Sequence, residues 1–574
     1  MPKRKRSETN ESNNDAKRFK ANTKTTTRPR VSATKTRNYL MNDPLIDWLD
    51  MYGKEAGFQK KSQPHLKMLF KGGIDFENEI MKEIYAKFPG HYEVIRTGNF
   101  SQRIIHTKMA IAEGVPIIYQ GVIENQDNNS FGIPDLIVRV DFLNTLMNRE
   151  IVAQEALDAD PVYAASYCII DIKHSSLYLS PRDKTVHNHA RIQPYKGQVI
   201  IYSEALAKLQ DGFLPPFAYI MGKRTVISKQ SYGPFEYLGV VDLKGKDAPM
   251  IEASRRAVAW YQNLKEHGKE WDVWVPHRWE MTPNMCNQNT GWDHVKYQLA
   301  YHQGELTLLW KAGFHEKNAL WQQGIRSWRN RRFDPVMIKA SQRSEEHLNL
   351  LRQGLEVNRT NYNDYLPTRV DSEREIQSFP DWRTRENHME FYIDFETSNN
   401  HIFLIGMGYE HEESWKFEYF VAKQLDEKGE ADVVRRWISR MKLLRNRQPC
   451  RLIHWTSAER SNYKNALKRH NMRDINVEWI DLYKFFLEIP ISVRGSFTYG
   501  LKDIACSLHE TGHIKTVWQD DNMSGFTAMI IAKEAEAMRV KRLIDVPLMQ
   551  KIVNYNEIDC KVLWEILQFV RKVF

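Results

Sequence analysis

The chain has 574 residues, of which 42% are hydrophobic and 11% aromatic, and its formal net charge is +10. This length and apolar content suffice for more than one core and exclude a small binding module. No apolar run reaches the length of a membrane span, so no membrane association is expected. The five cysteines are scattered without a C-x-x-C pair, which argues against a zinc site and a disulfide framework.

Most of the positive charge lies at the start of the chain. Residues 1–38 hold twelve Lys or Arg against three acidic residues, a net of +9, which leaves +1 for the remainder. Because this segment has almost no large apolar residue, residues 1–40 are predicted to form a disordered basic tail.

Two basic clusters in this tail are similar to a bipartite nuclear localisation signal. They consist of Lys3, Arg4, Lys5 and Arg6, followed by Lys17, Arg18 and Lys20. We therefore expect nuclear localisation, with an import receptor as a partner. The other interpretation is an arm that binds polyanions without specificity.

The first half of the chain combines a helix with strand-like segments. Residues 72–88 predict a helix, because large apolar residues recur every four positions and Glu77 lies beside that stripe. Strand-like segments follow at 115–123, 131–143 and 167–176.

The third of these segments, "YCIIDIKHSS", carries two opposite charges in an apolar run. Residues two apart on a strand share a face, so Asp171 and Lys173 should project together. Asp135 follows a Gly-x-Pro turn and can stand at the edge of the same sheet. Two carboxylates can hold Mg²⁺ or Mn²⁺ on a phosphodiester, and an adjacent ammonium can position or deprotonate water or stabilise negative charge. The set is suited to metal-dependent phosphodiester hydrolysis, and a structural ion pair is the other interpretation.

The segments "GIPD" (132–135) and "DIK" (171–173) resemble the signature of the PD-(D/E)XK nuclease superfamily. The resemblance implies a restriction-endonuclease-like fold in which Glu77, Asp135 and Asp171 bind metal and Lys173 is catalytic. Several relatives have a metal-binding histidine where this chain has Phe76. Others carry a four-cysteine iron–sulfur cluster, for which the cysteines here are wrongly placed, so no such cluster is expected.

The segment "QVIIY" resembles the Q-x-x-x-Y element of the RecB-like branch of that superfamily. Gln198 and Tyr202 are four residues apart in a helical context and therefore share a face. The resemblance implies that they contact DNA or orient the active site.

The region 281–385 is predicted to be a helical linker. Its segment 305–333 resembles the helical hairpins that some two-domain nucleases place between their domains. Such hairpins grip the DNA backbone near glycines, here Gly313 and Gly324, and through arginines such as Arg326 and Arg329. A solvated basic helix face is the other interpretation of these arginines.

A second pair of carboxylates occurs in "EFYIDFETSNN" (390–400). Asp394 and Glu396 should share one face of a buried strand, where they repel each other unless a cation lies between them. The following segments alternate as strand, strand, helix, strand and helix, which indicates a ribonuclease-H-like α/β domain.

The D-x-E of this strand and the later "YNEID" (555–559) resemble two motifs of the DnaQ-like 3′–5′ exonucleases. The resemblance implies that Asp394, Glu396 and Asp559 bind metal and that Tyr555 orients the attacking water. The remaining motif fits less well, because Glu459 stands where the family has aspartate. Glu459 is either a metal ligand or part of an S/T-x-x-E capping box, and Asp481 is a spare carboxylate that could substitute for it.

These observations predict an α/β protein with four parts: a basic tail (1–40), a RecB-like PD-(D/E)XK domain (41–280), a helical linker (281–385) and a ribonuclease-H-like exonuclease domain (386–574). The expected function is a metal-dependent nuclease, acting on DNA in preference to RNA, with Mg²⁺ or Mn²⁺. The alternatives are an RNA-processing exonuclease that uses mainly the C-terminal site, and a nucleic-acid-binding scaffold with inactive domains. No Walker-type loop is present, so any helicase must be a separate partner.

Overall fold

The structure is a computed structural model that describes residues 28–574 except 190, 289, 339–344, 361, 372–375, 385–387, 519–522 and 539. None of the described helices is long and apolar enough to cross a membrane. The two basic clusters predicted as a nuclear localisation signal, within residues 3–6 and 17–20, lie outside the described residues.

The first half of the described chain is built on a seven-stranded mixed sheet. Its strands are β2 (Tyr92–Val94), β3 (Ile117–Tyr119), β6 (Leu136–Arg139), β7 (Tyr167–Tyr178), β8 (Phe217–Ile227), β9 (Gln230–Tyr232) and β10 (Gly239–Asp242). They are ordered β10-β8-β7-β6-β3-β2 in space, with β9 paired to β8. Strands β3, β6 and β7 are antiparallel neighbours, whereas β8 runs parallel to β7. A smaller sheet contains β1 (Val31–Ser32), β5 (Ser130–Gly132) and β4 (Ile123–Asn125).

Helices cover both faces of the large sheet. They are α1 (Arg37–Leu40), α2 (Leu45–Tyr52), α3 (Pro64–Lys87), α4 (Phe100–Ala112), α5 (Leu143–Met147), α6 (Gln154–Ala159), α7 (Pro161–Ala165), α8 (Gln193–Ala207), α9 (Pro249–His267) and α10 (Asp293–Gln303). The apolar stripe of α3 packs against Ile170 and Ile172 of β7, while Ile169 packs with α8 on the other face. Helix α3 confirms the helix predicted over 72–88 and begins eight residues earlier.

Residues 28–40, the described part of the segment predicted as a disordered tail, are folded. Strand β1 pairs in parallel with β5, and the Val31 side chain is 1% exposed. The Gln262 side chain donates a hydrogen bond of 3.1 Å to the Pro29 carbonyl oxygen. Residues 28–40 therefore belong to the fold, because backbone pairing and a few buried side chains anchor a polar segment.

The region predicted as a linker divides between the two halves of the molecule. Val295 and Leu299 of α10 pack in the N-terminal core, whereas Leu306 and the apolar residues after it pack in the C-terminal core. The elements beyond α10 are α11 (Phe314–Gln322), α12 (Glu345–Thr360) and β11 (Tyr365–Leu366).

The helical hairpin expected over 305–333 does not form. Helix α11 is the only α-helix in this segment, every residue of which the structure describes. Beyond Gly324, which has a φ of +77°, the chain is irregular and is anchored by Ile325, Trp328 and Phe333. These three buried residues lie in turns and irregular chain rather than on a helix.

The C-terminal half contains a five-stranded sheet with helices on both faces. Its strands are β12 (Met389–Ser398), β13 (His401–His411), β14 (Ser414–Val421), β15 (Cys450–His454) and β16 (Glu478–Asp481), and β17 (Ser492–Val493) pairs separately with β11. Its helices are α13 (Glu427–Arg445), α14 (Ala458–Arg469), α15 (Leu482–Glu488), α16 (Leu501–Glu510), α17 (Gly525–Ala537) and α18 (Pro547–Val573).

The strand order of this sheet is β14-β13-β12-β15-β16. Strands β12, β13 and β14 are antiparallel, while β15 and β16 run parallel to β12. The alternation predicted for β12 is confirmed: Phe391, Ile393 and Phe395 pack in one core and Tyr392 in the other. The central position of β12 places its carboxylates at the middle of the sheet.

Candidate active sites

The N-terminal cluster is centred on β7. The Asp171 carboxylate, 1% exposed, forms an ion pair with the Lys173 ammonium on the same strand face, as the alternation predicts. Burial alone would lower the pKa of Lys173, but the charges of Asp171 and Asp135 outweigh it and raise that pKa. Lys173 is therefore held as a cation, which suits charge stabilisation better than proton abstraction.

Asp135 lies directly before β6 and is hydrogen-bonded to the neighbouring strand. Its Oδ2 atom accepts a bond of 2.6 Å from the backbone N–H of Ile172. Burial raises the pKa of Asp135 well above its usual range; Asp171 and Glu77 add to the shift, and Lys173 opposes it. The structure thus brings the four predicted residues into mutual electrostatic range.

The Glu77 carboxylate is held by neutral partners. Its Oε1 atom accepts hydrogen bonds from the Tyr119 hydroxyl at 2.8 Å and from Gln120 Nε2 at 3.0 Å. Arg96 in turn donates to the Tyr119 hydroxyl at 2.5 Å. Phe76 is a buried core residue, 6% exposed, and takes no part in this network.

Tyr202 is packed inside the domain, which favours the predicted orientation of the active site over the predicted contact with DNA. It is 3% exposed, and its hydroxyl accepts a hydrogen bond of 2.7 Å from Gln198 Nε2. A Cβ atom at Gly132 would lie 2.0 Å from its ring, so glycine is required there. Burial and the Asp171 charge raise the pKa of Tyr202, which keeps the phenol neutral. Tyr202 is therefore a buried neighbour of Asp171, and Gln198 fixes the orientation of the Tyr202 hydroxyl.

The C-terminal cluster joins β12 to helix α18. Asn556 Nδ2 donates to Asp394 Oδ2 at 2.6 Å and to the Asp394 carbonyl oxygen at 3.2 Å. This close approach depends on Gly406 of β13, where a Cβ atom would lie 1.7 Å from Asn556 Oδ1. The helix is thereby fixed against the strand that carries Asp394 and Glu396.

Three carboxylates converge at this junction. Oxygen atoms of Asp394, Glu396 and Asp559 all lie within 4.8 Å of one another, and no other His, Cys, Asp or Glu trio in the described part of the chain meets that criterion. Burial and the neighbouring carboxylates raise the pKa of Asp394 well above its usual range, that of Glu396 to about 8 and that of Asp559 to about 7. A divalent cation relieves this repulsion, so the donor set fits Mg²⁺ or Mn²⁺.

Aromatic side chains hold the Asp559 carboxylate in place. Trp518 Nε1 donates to Asp559 Oδ1 at 3.1 Å, and the Tyr555 hydroxyl is also hydrogen-bonded to Asp559. Burial and the surrounding carboxylates raise the pKa of Tyr555 far above its usual value. Tyr555 is thus a neutral hydroxyl that can orient a water molecule but does not ionise.

Glu459 is oriented toward this cluster rather than toward a helix cap. Helix α14 has Ser457 at its N-cap with no side-chain capping bond, so the predicted capping box is wrong. Glu459 is 7% exposed, its Oε2 atom lies 3.4 Å from His454 Nδ1, and its charge raises the pKa values of Asp394 and Glu396. Glu459 is therefore a fourth carboxylate that acts electrostatically on the site, although it lies outside the trio whose oxygen atoms converge within 4.8 Å.

Asp481, the spare carboxylate, has a structural role instead. Its Oδ1 atom accepts hydrogen bonds from the backbone N–H groups of Tyr483 and Lys484 at the start of α15 and from that of Thr456. It caps a helix and ties β16 to the loop after β15, so it is not available as a ligand.

Three residues of this site were missed by the sequence analysis: Lys502, Trp518 and Asn556. Lys502 Nζ lies 4.7 Å from the Tyr555 ring centroid and 5.4 Å from that of Trp518. Asn556 could have been suspected from its place inside "YNEID". Lys502 and Trp518 come from separate segments that carry no motif.

The arginines of the predicted hairpin lie on the surface in loops. Arg326 is stacked over Trp321 at 4.8 Å, and Arg329 over Trp328 at 4.3 Å. Arg329 also donates to the His302 carbonyl oxygen at 3.1 Å. Both are exposed, and neither is placed by a helix–turn–helix element; their contact with nucleic acid stays a prediction.

Comparison with known families supports the ribonuclease-H-like domain predicted for the C-terminal part of the chain. Residues 391–571 match the model of the RNase_H superfamily. This range begins in β12, ends in α18 and includes all four carboxylates of the C-terminal cluster. No curated protein and no solved structure matches the chain significantly.

Residues 391–571 are therefore an RNase_H superfamily domain, a match that suggests a nuclease-like hydrolase of nucleic acid. Domains of this class generally use divalent metal ions. The PD-(D/E)XK fold expected for residues 41–280 stays a prediction.

Proposed function

We propose that the protein is a divalent-metal-dependent nuclease whose C-terminal site hydrolyses phosphodiester bonds. The observation that carries this proposal is the convergence of Asp394, Glu396 and Asp559 within 4.8 Å in a buried site. Glu396 and Asp559 are buried and Asp394 is partly buried, so their ionised forms repel one another at this distance unless a cation is bound.

In this proposal Asp394, Glu396 and Asp559 hold Mg²⁺ or Mn²⁺, with Glu459 as a fourth ligand. When bound, the metal supplies a Lewis acid for the phosphoryl oxygen and lowers the pKa of water. Tyr555 orients the water molecule through its neutral hydroxyl, and Trp518 fixes the Asp559 carboxylate that it contacts. Asn556 sets the orientation of Asp394.

We further propose 3′–5′ exonuclease action on DNA in preference to RNA. The D-x-E strand, the Glu459 position and the "YNEID" helix supply the three motif positions of a DnaQ-like exonuclease. The chemistry at the phosphodiester is the same for both nucleic acids, so the preference for DNA rests on the resemblance and on the N-terminal cluster.

A second candidate function, cleavage of DNA by a PD-(D/E)XK site, is favoured by the Asp171–Lys173 ion pair beside Asp135. The order helix α3, antiparallel β3, β6 and β7, helix α8 and parallel β8 supports such a fold. The carboxylates of Glu77, Asp135 and Asp171 do not converge as closely as the C-terminal trio, and Glu77 is already held by Tyr119 and Gln120. This site is therefore proposed as the less complete of the two.

The test is a gel assay of end-labelled single- and double-stranded DNA and RNA with Mg²⁺ or Mn²⁺. The wild-type protein is compared with Asp394→Asn and Lys173→Met, and thermal unfolding checks that each variant is folded. We expect Asp394→Asn to reduce stepwise trimming by at least about 10²-fold, because it removes a ligand from the site. Loss of cleavage only in Lys173→Met would assign the chemistry to the N-terminal cluster. No hydrolysis of any substrate by the wild type would reject the proposal and favour a binding scaffold.

A further inference from the structure

We infer that Lys502 binds the phosphate group at which the C-terminal site acts. This inference rests on the proposed function and adds to it a substrate-binding residue that belongs to none of the motifs. Lys502 lies on α16, a helix that carries none of the four carboxylates.

Contacts with Met523, Tyr555 and Trp518 help to place Lys502 beside the site. Its Nζ atom donates a hydrogen bond of 2.6 Å to the Met523 carbonyl oxygen and faces the rings of Tyr555 and Trp518 at 4.7 and 5.4 Å. Tyr555 and Trp518 are also the two side chains that hydrogen-bond Asp559. The Lys502 ammonium and the Asp559 carboxylate therefore contact the same two aromatic side chains.

The charge of the site requires a cation at this place. Asp394, Glu396, Glu459 and Asp559 supply up to four negative charges, which two divalent ions would neutralise. A phosphodiester brings a further negative charge, which grows in the transition state. Lys502 already acts electrostatically on this cluster, since its charge lowers the pKa values of both Glu396 and Asp559.

The side chain is suited to meet a phosphate oxygen. Lys502 is half-buried at the edge of the site. An ammonium carries three N–H donors on a flexible stem and binds phosphate as a point charge. If Lys502 instead had a purely structural role and only tethered the chain at Met523, its replacement would leave the salt dependence of nucleic-acid binding unchanged.

The experiment measures binding separately from hydrolysis. A fluorescent single-stranded DNA oligonucleotide is titrated with wild-type protein and with Lys502→Met, Lys502→Arg and Lys442→Met, using Ca²⁺ in place of Mg²⁺ and a series of salt concentrations. Lys442 is the matched control because it is an exposed lysine in the last turn of α13. The chain continues from there to Cys450 at the start of β15. Cys450 pairs with Met389, at the opposite end of β12 from the site. Hydrolysis with Mg²⁺ and thermal unfolding are measured on the same samples.

We expect Lys502→Met to make the negative slope of log affinity against log salt shallower by about 0.7, the value for one phosphate contact on a single strand. It should also lower kcat/KM by about 10²-fold. Lys502→Arg should restore the slope, and Lys442→Met should change neither quantity.

An unchanged slope in Lys502→Met overturns the inference, whether hydrolysis falls or not. A fall in hydrolysis with a lower melting temperature and an unchanged slope assigns Lys502 the structural role. Absence of hydrolysis by the wild-type protein rejects the proposed function instead, while the salt slope still decides whether Lys502 binds phosphate.

Discussion

The two roles considered for Glu459, metal ligand and member of a helix capping box, predict different effects of Glu459→Gln. Glu459→Gln should lower hydrolysis by at least about 10²-fold, because a carboxylate of the metal site becomes neutral. The melting temperature should stay the same or rise, since like-charge repulsion with Asp394 and Glu396 is removed. If Glu459 instead belonged to a capping box of α14, the variant would keep both its stability and its activity, because glutamine also serves at this position of the box. Steady-state kinetics and thermal unfolding distinguish these results.

The raised carboxyl pKa values also predict how stability depends on pH. In the folded chain Glu396 has a pKa of about 8 and Asp559 of about 7, against about 4 for carboxyl groups in an unfolded chain. Their contribution to stability is fully present below about pH 4 and is lost as the pH rises through 7 and 8. Metal-free protein should therefore melt at progressively lower temperature over this range.

Divalent metal should reverse that loss. Mn²⁺ added at pH 8.5 should raise the melting temperature, and at pH 5 it should do so much less because protons compete for the carboxylates. Glu396→Gln is the control and should show a smaller pH effect and a smaller Mn²⁺ effect. Equal Mn²⁺ shifts in the variant and the wild type would contradict the assignment of Glu396 as a ligand.

The packing of helix α8 against β5 depends on one glycine. Gly132→Ala would place a Cβ atom 2.0 Å from the Tyr202 ring, so the ring or the helix must move. We expect a loss of about 1–3 kcal/mol in the free energy of unfolding. The matched control is Gly73→Ala in the interior of α3, where a Cβ atom meets nothing within 4 Å and alanine should add up to about 1 kcal/mol. Chemical denaturation of both variants tests the contrast, and equal effects would contradict it.

Elements with a clear period were predictable, and elements shaped by distant packing were not. Strands β7 and β12 alternate apolar and charged residues, and α18 carries its functional side chains four apart, so sequence spacing places them correctly. Lys502 and Trp518 reach the C-terminal cluster only through the packing of α16 and the chain after it. The prediction of a helical hairpin over 305–333 is wrong because Trp328 and Phe333 are buried in the C-terminal core from a non-helical segment. Composition alone does not reveal such packing.

At the scale of the whole molecule, much of the region predicted as a linker contributes to a hydrophobic core. The chain from Leu306 onward joins the core that also holds Val562 and Leu563 of α18. The polar and charged character of this region indicates surface, but its scattered leucines and tryptophans are enough to attach it to the RNase_H superfamily domain. A segment that connects two domains in sequence can belong to one of them in structure.

Half of the net positive charge lies before the described residues, which makes the role of the tail testable. Residues 1–27 hold eight Lys or Arg against three acidic residues, a net of +5, so half of the +10 of the chain is removed with them. If the two clusters are an import signal, deletion of residues 1–27 should abolish nuclear accumulation of a fluorescent fusion and leave hydrolysis unchanged.

If the tail is instead an arm that binds polyanions, the same deletion should weaken nucleic-acid binding and reduce its salt dependence. Alanine replacement of Lys3, Arg4, Lys5 and Arg6 alone separates the two roles. A bipartite signal needs both clusters, so import should fail, whereas a non-specific arm should lose affinity only in proportion to the charge removed. Normal nuclear accumulation of the deletion variant would contradict the import prediction, because the predicted signal lies entirely within the deleted residues.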